Sequence, residues 1–354
     1  MLILLIITLS IHCGFYLLLF SRLIWYSDKN VGKEKRKASV LVCYHNEEDV
    51  IEENLPSILE QNADEFVLVD DCSDDTTFER LNRYSSPRTR VLKLREKSAG
   101  KKAAFYHGIS HARNDFVLLT DADCKPSSDK WVEIMSGYDS KFVLGYGPML
   151  KNKGLVGLFS RYETYITAIQ YFSFALYKMP YMGVGRNLGV YRKLVLDKRN
   201  EIKGQNLASG DDDLMINALA NGTNTRVCIH PDTFMYSAPK TTWRTFLRQK
   251  TRHIGTSVHY KLLHKLLLSL FSGSQIAFYF ILIIGVLYGT ISLIFAFKVL
   301  FVKWLIQFLI NIFVMQKLKE KDLIWKFPFL DILHFIYLCL LPFYLLIKKK
   351  NTWN

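Results

Sequence analysis

Residues 116–124 read FVLLTDADC, an apolar run that ends on two carboxylates, Asp121 and Asp123. A second apolar run, FVLVDD at residues 66–71, also ends on acidic residues, the last of which is Asp71. Ligands of parallel sheets bind beyond the carboxyl ends of the strands. Two carboxylates at positions i and i+2 can both reach one divalent ion that bridges a diphosphate. These stretches therefore predict a ligand site at one edge of a sheet.

Short apolar strands alternate with helical segments on both sides of these stretches. Strand-like runs lie at 39–44, 66–70, 90–94, 116–120, 142–146 and 226–230. Helix-like segments lie near 48–60, 74–84, 101–113 and 128–138. Such alternation is typical of an α/β domain with a largely parallel sheet, which we assign to residues 39–240.

The N-terminus is almost continuously apolar over residues 1–20, which is long enough to span a bilayer. Basic residues follow this run rather than precede it, beginning at Arg22. This order predicts an uncleaved transmembrane anchor at residues 1–21, with the following domain in the cytoplasm. A cleaved signal peptide is the alternative.

The C-terminal third also has the composition of a membrane protein. Residues 241–270 are amphipathic and basic, which predicts helices that lie in the membrane interface. Apolar runs then predict about three transmembrane segments within residues 271–347. These runs lie at 274–297, 299–316 and 327–347. Three full crossings would put the lysines at 348–350 outside, against the positive-inside rule, so one run need not cross completely. The last run contains prolines and could be kinked or re-entrant.

The formal net charge of +14 is concentrated at the ends of the chain. Residues 39–240 contain 25 Lys and Arg against 27 Asp and Glu, whereas residues 241–354 contain 15 against 3. The nearly neutral middle domain argues against nucleic-acid binding, and the basic ends favour anionic lipid. Six scattered cysteines without a C-x-x-C pair favour a reducing compartment over a disulfide framework or a metal cluster.

Three further motifs carry candidate chemistry. Lys101 follows a glycine at a helix start, where backbone N–H groups and an ammonium can bind phosphate. Asp211 and Asp212 belong to a run of three carboxylates, whose mutual repulsion raises the proton affinity that a general base needs. Gln249 and Arg252 share one face of the amphipathic helix.

The order of these motifs resembles that of the membrane-bound family 2 inverting glycosyltransferases, which have the GT-A fold. This group includes cellulose, hyaluronan and poly-N-acetylglucosamine synthases and, more distantly, ceramide glucosyltransferases. The matching motifs are CYHNEED (43–49), VDDCSDDT (69–76), SAGKKAA (98–104), LLTDADCKP (118–126), GVGRNLGVYRK (183–193), SGDDDL (209–214) and Q-x-x-R-H (249–253). The resemblance implies a Rossmann-like α/β domain between transmembrane helices.

The resemblance also implies a role for each motif. Asp212 is the expected general base, with Asp211 beside it. Asp123 is the expected ligand of Mg²⁺ or Mn²⁺, and Asp121 contacts both the metal and the donor. The other residues expected at the nucleotide-sugar donor are Tyr44, Asn46, Glu47, Asp71, Lys101, Arg186, Asn187, Gln249, Arg252 and His253.

Two departures from the family pattern concern the acceptor. His253 stands where the family has Trp, and Asp211 stands where it has Glu. Both leave open whether the product is a growing polysaccharide or a single sugar on a lipid such as a polyprenyl phosphate, glycolipid or ceramide. A non-catalytic membrane subunit is a more distant alternative. We expect a UDP-sugar donor, membrane lipids as partners, no nucleic acid, and a location in the bacterial cytoplasmic membrane.

Overall fold

The computed structural model describes residues 1–28, 35–95, 100–204, 207 and 210–347, with the backbone alone at 252–254 and 345–347. The strands are β1 (Ala38–Tyr44), β2 (Glu65–Asp70), β3 (Thr89–Lys93), β4 (Phe116–Asp121), β5 (Cys124–Pro126), β6 (Phe142–Leu144), β7 (Leu188–Tyr191), β8 (Thr225–Val227) and β9 (Met235–Ser237). The helices are α1 (Leu2–Gly14), α2 (Arg22–Trp25), α3 (Ile51–Leu59), α4 (Thr77–Asn82), α5 (Lys101–His111), α6 (Trp131–Ser136), α7 (Leu155–Leu176), α8 (Arg192–Asp197), α9 (Asp213–Leu219), α10 (Trp243–Ser257), α11 (Leu262–Leu287), α12 (Leu293–Lys317) and α13 (Phe327–Ile347).

Within the described ranges the main sheet has the strand order β3-β2-β1-β4-β7-β6-β8. The first four of these strands run parallel, while β7 is antiparallel to both of its neighbours. A small antiparallel sheet of β5 and β9 follows directly after β4. The expected α/β architecture with a mostly parallel sheet is confirmed.

Alternate side chains of the central strands enter two separate hydrophobic cores. In β1, Val40 and Val42 face the core that contains Leu55 and Trp131, whereas Leu41 faces the core that contains Phe105. Helices α3 and α6 therefore cover one face of the sheet, and α5 covers the other. Strands that are buried on both faces have continuously apolar sequences, as the runs in this chain do.

Four described helices are long and apolar enough to cross a membrane: Leu2–Trp25, Leu262–Leu287, Leu293–Lys317 and Phe327–Tyr344. The first contains a π-helical turn at Phe15–Phe20 between α1 and α2. The number of apolar helices agrees with the sequence, but α11 begins at Leu262, inside the segment predicted to be interfacial. The amphipathic helix is thus confined to α10, and α13 is one continuous helix despite Pro342.

Contacts at their ends show how the apolar helices are arranged. The Thr290 hydroxyl, in the turn between α11 and α12, donates to Met1 Sδ at 3.1 Å. At the opposite end of α12, Lys317 Nζ donates to the carbonyl oxygen of Leu23 at 3.0 Å. The first apolar helix (Leu2–Trp25) and α12 therefore begin and end together. The end near Lys317 lies on the side of the α/β domain, where Tyr26 bonds to Val227.

Candidate active site

The carboxyl ends of three neighbouring parallel strands bring the acidic motifs together. In the register of the sheet Cys43 lies opposite Asp121, and Tyr44 lies opposite Asp70. Asp71 follows β2 directly, and its backbone N–H donates to the Tyr44 carbonyl oxygen at 2.8 Å. The predicted convergence of the strand ends is therefore present in the structure.

The D-x-D motif forms a cluster that could hold a metal ion. One ligand atom each from Asp121, Asp123 and Cys124 lies within 4.8 Å of the others. Burial raises the pKa of the Cys124 thiol, as do the charges of both aspartates. A thiol is a poor ligand for Mg²⁺ and Mn²⁺, which prefer oxygen. The two carboxylates therefore fit such an ion, and substrate oxygens can complete its coordination.

Lys101 stands at the start of α5 and forms an ion pair with Asp121. Burial lowers the pKa of Lys101, but the carboxylates of Asp121 and Asp211 raise it by more than burial lowers it. The pKa of Lys101 is therefore well above its ordinary value. The ammonium is therefore charged in the functional pH range. A cation beside the D-x-D motif matches the position predicted for a residue that binds diphosphate.

The run of three aspartates divides into three different environments. Asp212 caps α9, since its carboxylate accepts from the backbone N–H of Asp213 at 2.9 Å and from that of Gly185 at 2.6 Å. Burial raises the pKa of Asp212 to about 6, and the charge of Asp213 adds to this effect. Burial raises the pKa of the Asp211 carboxyl above its ordinary value, although the nearby charge of Lys101 opposes this rise.

The third aspartate, Asp213, connects the catalytic domain to the amphipathic helix. Its buried carboxylate accepts from the backbone N–H of Leu214 at 2.8 Å, from the Tyr260 hydroxyl at 2.6 Å and from the Thr256 hydroxyl. Thr256 lies in the last turn of α10, and Tyr260 follows it. Asp213 therefore holds the helix that carries Gln249 against the aspartate run.

We expect the double substitution Thr256→Val and Tyr260→Phe to raise the KM for the donor at least about fivefold. Each substitution removes a hydrogen bond to a buried carboxylate, which typically costs about 1–3 kcal/mol. Initial rates at varied donor concentration measure the effect. Val258→Ala, at an exposed position directly after α10, is the control. An unchanged KM in the double variant would show that Asp213 does not position α10.

Two predicted donor residues belong to the loop after β1. Asn46 has a positive φ of 52°, and its side-chain oxygen accepts from the backbone N–H of Asp74 at 2.9 Å. It thereby fixes the loop after β2. Burial raises the pKa of Glu47 to about 7, and Asp123 and Asp121 contribute, so Glu47 lies near the D-x-D motif.

Two other predicted donor residues are buried in the core instead. Tyr44 is 1% exposed and packs in the hydrophobic core on one face of the sheet. Asn187 is fully buried, and its amide bonds to the Trp131 indole and to the carbonyl oxygens of Tyr146 and Thr233. Their side chains therefore support the site and do not line it.

Arg186 is partly exposed and donates to the Ser237 hydroxyl at 3.3 Å. A Cβ atom on Gly147 would lie 2.2 Å from Arg186 Nε, and one on Gly145 would lie 2.4 Å from the Asn187 amide carbon. Gly145 and Gly147 thus make room for these two side chains.

The Q-x-x-R-H motif lies on α10, as the sequence predicts for an amphipathic helix. Gln249 is partly exposed, while the side chains of Arg252 and His253 lie outside the part of the chain that the structure describes. Next to Gln249, Lys250 forms an ion pair with Glu163 of α7. Phe246 is fully buried against Phe159 of α7. Helix α10 is therefore anchored on α7 through both a charge and an aromatic contact.

The sequence did not predict a role for Cys124 or Asp213, although Cys124 lies in the motif at 118–126 and Asp213 in the motif at 209–214. The position of Cys124 directly after the D-x-D motif was the available signal for its place in the cluster. For Asp213 the sequence carries no such signal, because its partners Thr256 and Tyr260 lie more than forty residues away.

Comparison with known proteins defines the class to which this fold and site belong. Residues 39–148 match the Glycosyl transferase family 2, and residues 116–347 match the Glycosyl transferase family group 2. The chain therefore belongs to the family 2 glycosyltransferases and is an enzyme of that class.

Particular relatives are more distant. The chain is similar to poly-beta-1,6-N-acetyl-D-glucosamine synthase of Staphylococcus aureus, with 27% identity over 184 residues that cover 45% of this chain and 44% of the relative. The chain thus matches less than half the length of this curated relative. Its fold is similar to that of the mannosyltransferase PcManGT from Pyrobaculum calidifontis, solved in complex with GDP-Man and Mn²⁺. That likeness covers 98% of this chain and 99% of the other, with 18% identity and a TM-score of 0.61, so it shows a shared fold.

Proposed function

We propose that this enzyme is a membrane-bound inverting glycosyltransferase that transfers a sugar from a nucleotide diphosphate to a growing polysaccharide or membrane glycan. The observation that carries the proposal is the convergence of Lys101, Asp121, Asp123 and Asp211 where β1 and β4 end. A metal-binding pair, a diphosphate-binding cation and a carboxylate base are the groups that such a transfer requires.

The donor in this proposal is a UDP-sugar. The relative in Staphylococcus aureus is named as a synthase of poly-N-acetylglucosamine, whereas the structural neighbour was solved with GDP-Man. We favour UDP because a UDP-sugar is the donor that the order of the sequence motifs implies. Asp71, which is 5% exposed beyond β2, is the residue proposed to bind the nucleotide base.

Asp121 and Asp123 would hold the metal, Mg²⁺ or Mn²⁺, together with oxygens of the donor diphosphate. When bound, such an ion supplies Lewis-acid stabilisation of the leaving diphosphate. Lys101 adds a fixed positive charge at the same place. Glu47 and Arg186 complete the proposed donor site, and Gln249, Arg252 and His253 on α10 would close over it.

The contacts of the aspartates support Asp211 as the general base, where the sequence favoured Asp212. Both oxygens of Asp212 accept backbone N–H groups and so serve the cap of α9 and the loop at Gly185. Asp211 instead faces the charges of Lys101 and Asp121. In the proposed step Asp211 takes the proton of the acceptor hydroxyl, whose oxygen forms the new bond to the anomeric carbon. The bond from that carbon to the diphosphate breaks on the opposite side, so the configuration inverts.

Membrane insertion is part of this proposal. The apolar helices have the required length, and Lys317 fixes one end of α12 on the side of the catalytic domain. We propose the bacterial cytoplasmic membrane, with the catalytic domain in the cytoplasm. A lipid that receives one sugar is the alternative acceptor, since access from the bilayer plane would suffice for it.

One experiment tests both the donor and the acceptor. The purified full chain in detergent is incubated with a panel of labelled UDP- and GDP-sugars, with and without Mn²⁺. We expect release of UDP and a ladder of polymer. One lipid-soluble product would favour the lipid acceptor, and GDP release alone would refute the UDP donor. Loss of all nucleotide release would refute the proposed transfer.

The metal assignment predicts that Asp123→Asn weakens Mn²⁺-dependent donor binding by on the order of a hundredfold, because one of the two carboxylate ligands is lost. Isothermal titration with UDP, with and without Mn²⁺, measures the effect. Asp129→Asn is the control, since Asp129 is an exposed carboxylate outside the D-x-D cluster. Metal-dependent UDP affinity that survives in the Asp123 variant would contradict the role.

A further inference from the structure

A cavity of about 620 Å³ lies between the end of the first apolar helix and the edge strand β8. Its wall includes Arg22 and Tyr26 from the helix end, and Lys178, Thr223 and Arg226 from the α/β domain. We propose that this cavity binds the phosphate headgroup of an anionic phospholipid. The proposal rests on membrane insertion, which is part of the proposed function.

The charge of the cavity wall points to an anion. Arg22, Lys178 and Arg226 contribute three cationic side chains, and among the described residues that line the cavity there is no aspartate or glutamate. The nearby Asp28 carboxylate lies behind the wall, where it accepts from the backbone N–H of Ile229 at 3.1 Å. The guanidinium of Arg22 lies over the Tyr177 ring at 5.3 Å, which fixes its position at the cavity wall. The Ser27 hydroxyl adds a neutral donor, whereas the Thr223 hydroxyl donates to Asn221 Oδ1 at 2.7 Å. Arginine, lysine and hydroxyl groups are the usual partners of a phosphate.

The position of the cavity points to a lipid as the source of that anion. Leu17 and Leu18, one turn before Arg22, are 51% and 73% exposed, as expected for side chains that face acyl chains. Trp25 is 84% exposed just beyond them, and tryptophan is enriched where a bilayer meets water. The cations of the cavity therefore lie at the level where lipid headgroups are found.

The helix end is firmly attached to the domain around this cavity. The Tyr26 hydroxyl donates to the Val227 carbonyl oxygen at 2.5 Å, and the Tyr177 hydroxyl donates to the carbonyl oxygen of Leu18. A headgroup between Arg22 and Arg226 would thus bind to both the end of the first apolar helix and the α/β domain, which are already in contact. The volume lies within the usual range of about 300–1,000 Å³ for small-ligand sites, so a glycerophosphate headgroup fits.

The test compares phosphatidylglycerol with phosphatidylcholine. The full chain is reconstituted in nanodiscs of mixed lipid, and native mass spectrometry measures which lipid is retained after release. We expect the wild type to retain phosphatidylglycerol preferentially. The triple variant Arg22→Gln, Lys178→Gln, Arg226→Gln should lose this preference about tenfold or more, because each cation near the headgroup contributes to binding. In the single variant Arg226→Gln, at an exposed strand position, the preference for phosphatidylglycerol should fall about threefold. This variant tests the proposal if the triple variant does not fold.

A second triple variant, Arg83→Gln, Lys130→Gln, Lys193→Gln, is the matched control. It removes three exposed cations elsewhere on the domain and should keep the preference. Equal loss in the control, or an unchanged preference in both cavity variants, would overturn the proposal. Displacement of the lipid by 10 mM inorganic phosphate would also overturn it, because the site would then bind a free anion. Sugar transfer is measured in parallel in phosphatidylcholine discs. If the wild type transferred no sugar but still preferred phosphatidylglycerol, the proposed function would be refuted and the lipid site would not.

Discussion

Replacing Asp211 with asparagine is expected to slow sugar transfer about a thousandfold while leaving UDP binding within about twofold of the wild type. A positioned general base typically contributes 10²–10⁴-fold to the rate, and asparagine cannot accept the acceptor proton. The substitution preserves the shape of the side chain. Donor affinity should persist, because the proposed metal ligands and Lys101 are unchanged. Single-turnover rates with saturating donor measure the transfer, and titration with UDP measures the binding.

Asp212→Asn is the comparison that separates the two carboxylates. Asp212 accepts two backbone N–H groups, and an amide oxygen can still accept one of them. We therefore expect a loss of about 1 kcal/mol in the free energy of unfolding and less than a tenfold fall in rate. If the Asp212 variant lost most of its transfer rate while the Asp211 variant transferred at a near-normal rate, Asp212 would be the general base, as the sequence indicated.

The pH dependence gives a second readout of the base. Burial raises the pKa of the Asp211 carboxyl, although Lys101 opposes this. Because the base must be ionised, kcat/KM should fall as the pH drops through that pKa in the wild type. The residual rate of the Asp211→Asn variant should lack this acid limb. A persistent acid limb would assign the titration to another group.

The centre of the sheet could be predicted because its strands are buried on both faces. Continuous apolar runs identified β1, β2, β4 and β6 to within a few residues. Short runs that mix apolar and polar residues identified the partly buried edge strands β3 and β8. Strands β5, β7 and β9 were not predicted, since they are short and their antiparallel pairing depends on partners distant in sequence. Helix α7 was also not predicted. Its buried residues surround most of its circumference, so the sequence shows no amphipathic stripe.

The candidate site was predictable where one strand end specifies its chemistry, as at Asp121 and Asp123. The site was less predictable at positions where the direction of the side chain decides whether a residue lines the site or packs in the core. Tyr44 occupies a strand position that alternates toward the core, so its place in a motif did not put it in the site. The carboxylate of Asp212 accepts from the backbone N–H of Gly185, 27 positions away, and a contact between residues so distant in sequence could not be predicted.

Removing the carboxylate of Asp331 is expected to be the most destabilising single change among the apolar helices. Asp331 in α13 is 1% exposed and pairs with the fully buried Lys303 of α12 at 2.5 Å. Its oxygens also accept from Gln275 of α11 at 3.0 Å and from Gln307 of α12 at 3.2 Å. Gln307 in turn contacts His12 of α1 at 3.3 Å. One carboxylate therefore connects all four apolar helices.

The expected loss in the Asp331→Ala variant is about 3–5 kcal/mol, since it leaves the Lys303 ammonium buried without its partner. Thermal unfolding of the detergent-solubilised chain, followed by loss of the monodisperse peak, measures this. The double variant Lys303→Met, Asp331→Leu should recover more than half of the lost stability, because replacing both charges of a buried pair with apolar groups is often neutral. Phe343→Leu, at an exposed position on α13, serves as the control. If the double variant were as unstable as the single one, the ion pair would not be the reason for the loss, and the amide contacts of Gln275 and Gln307 would carry it instead.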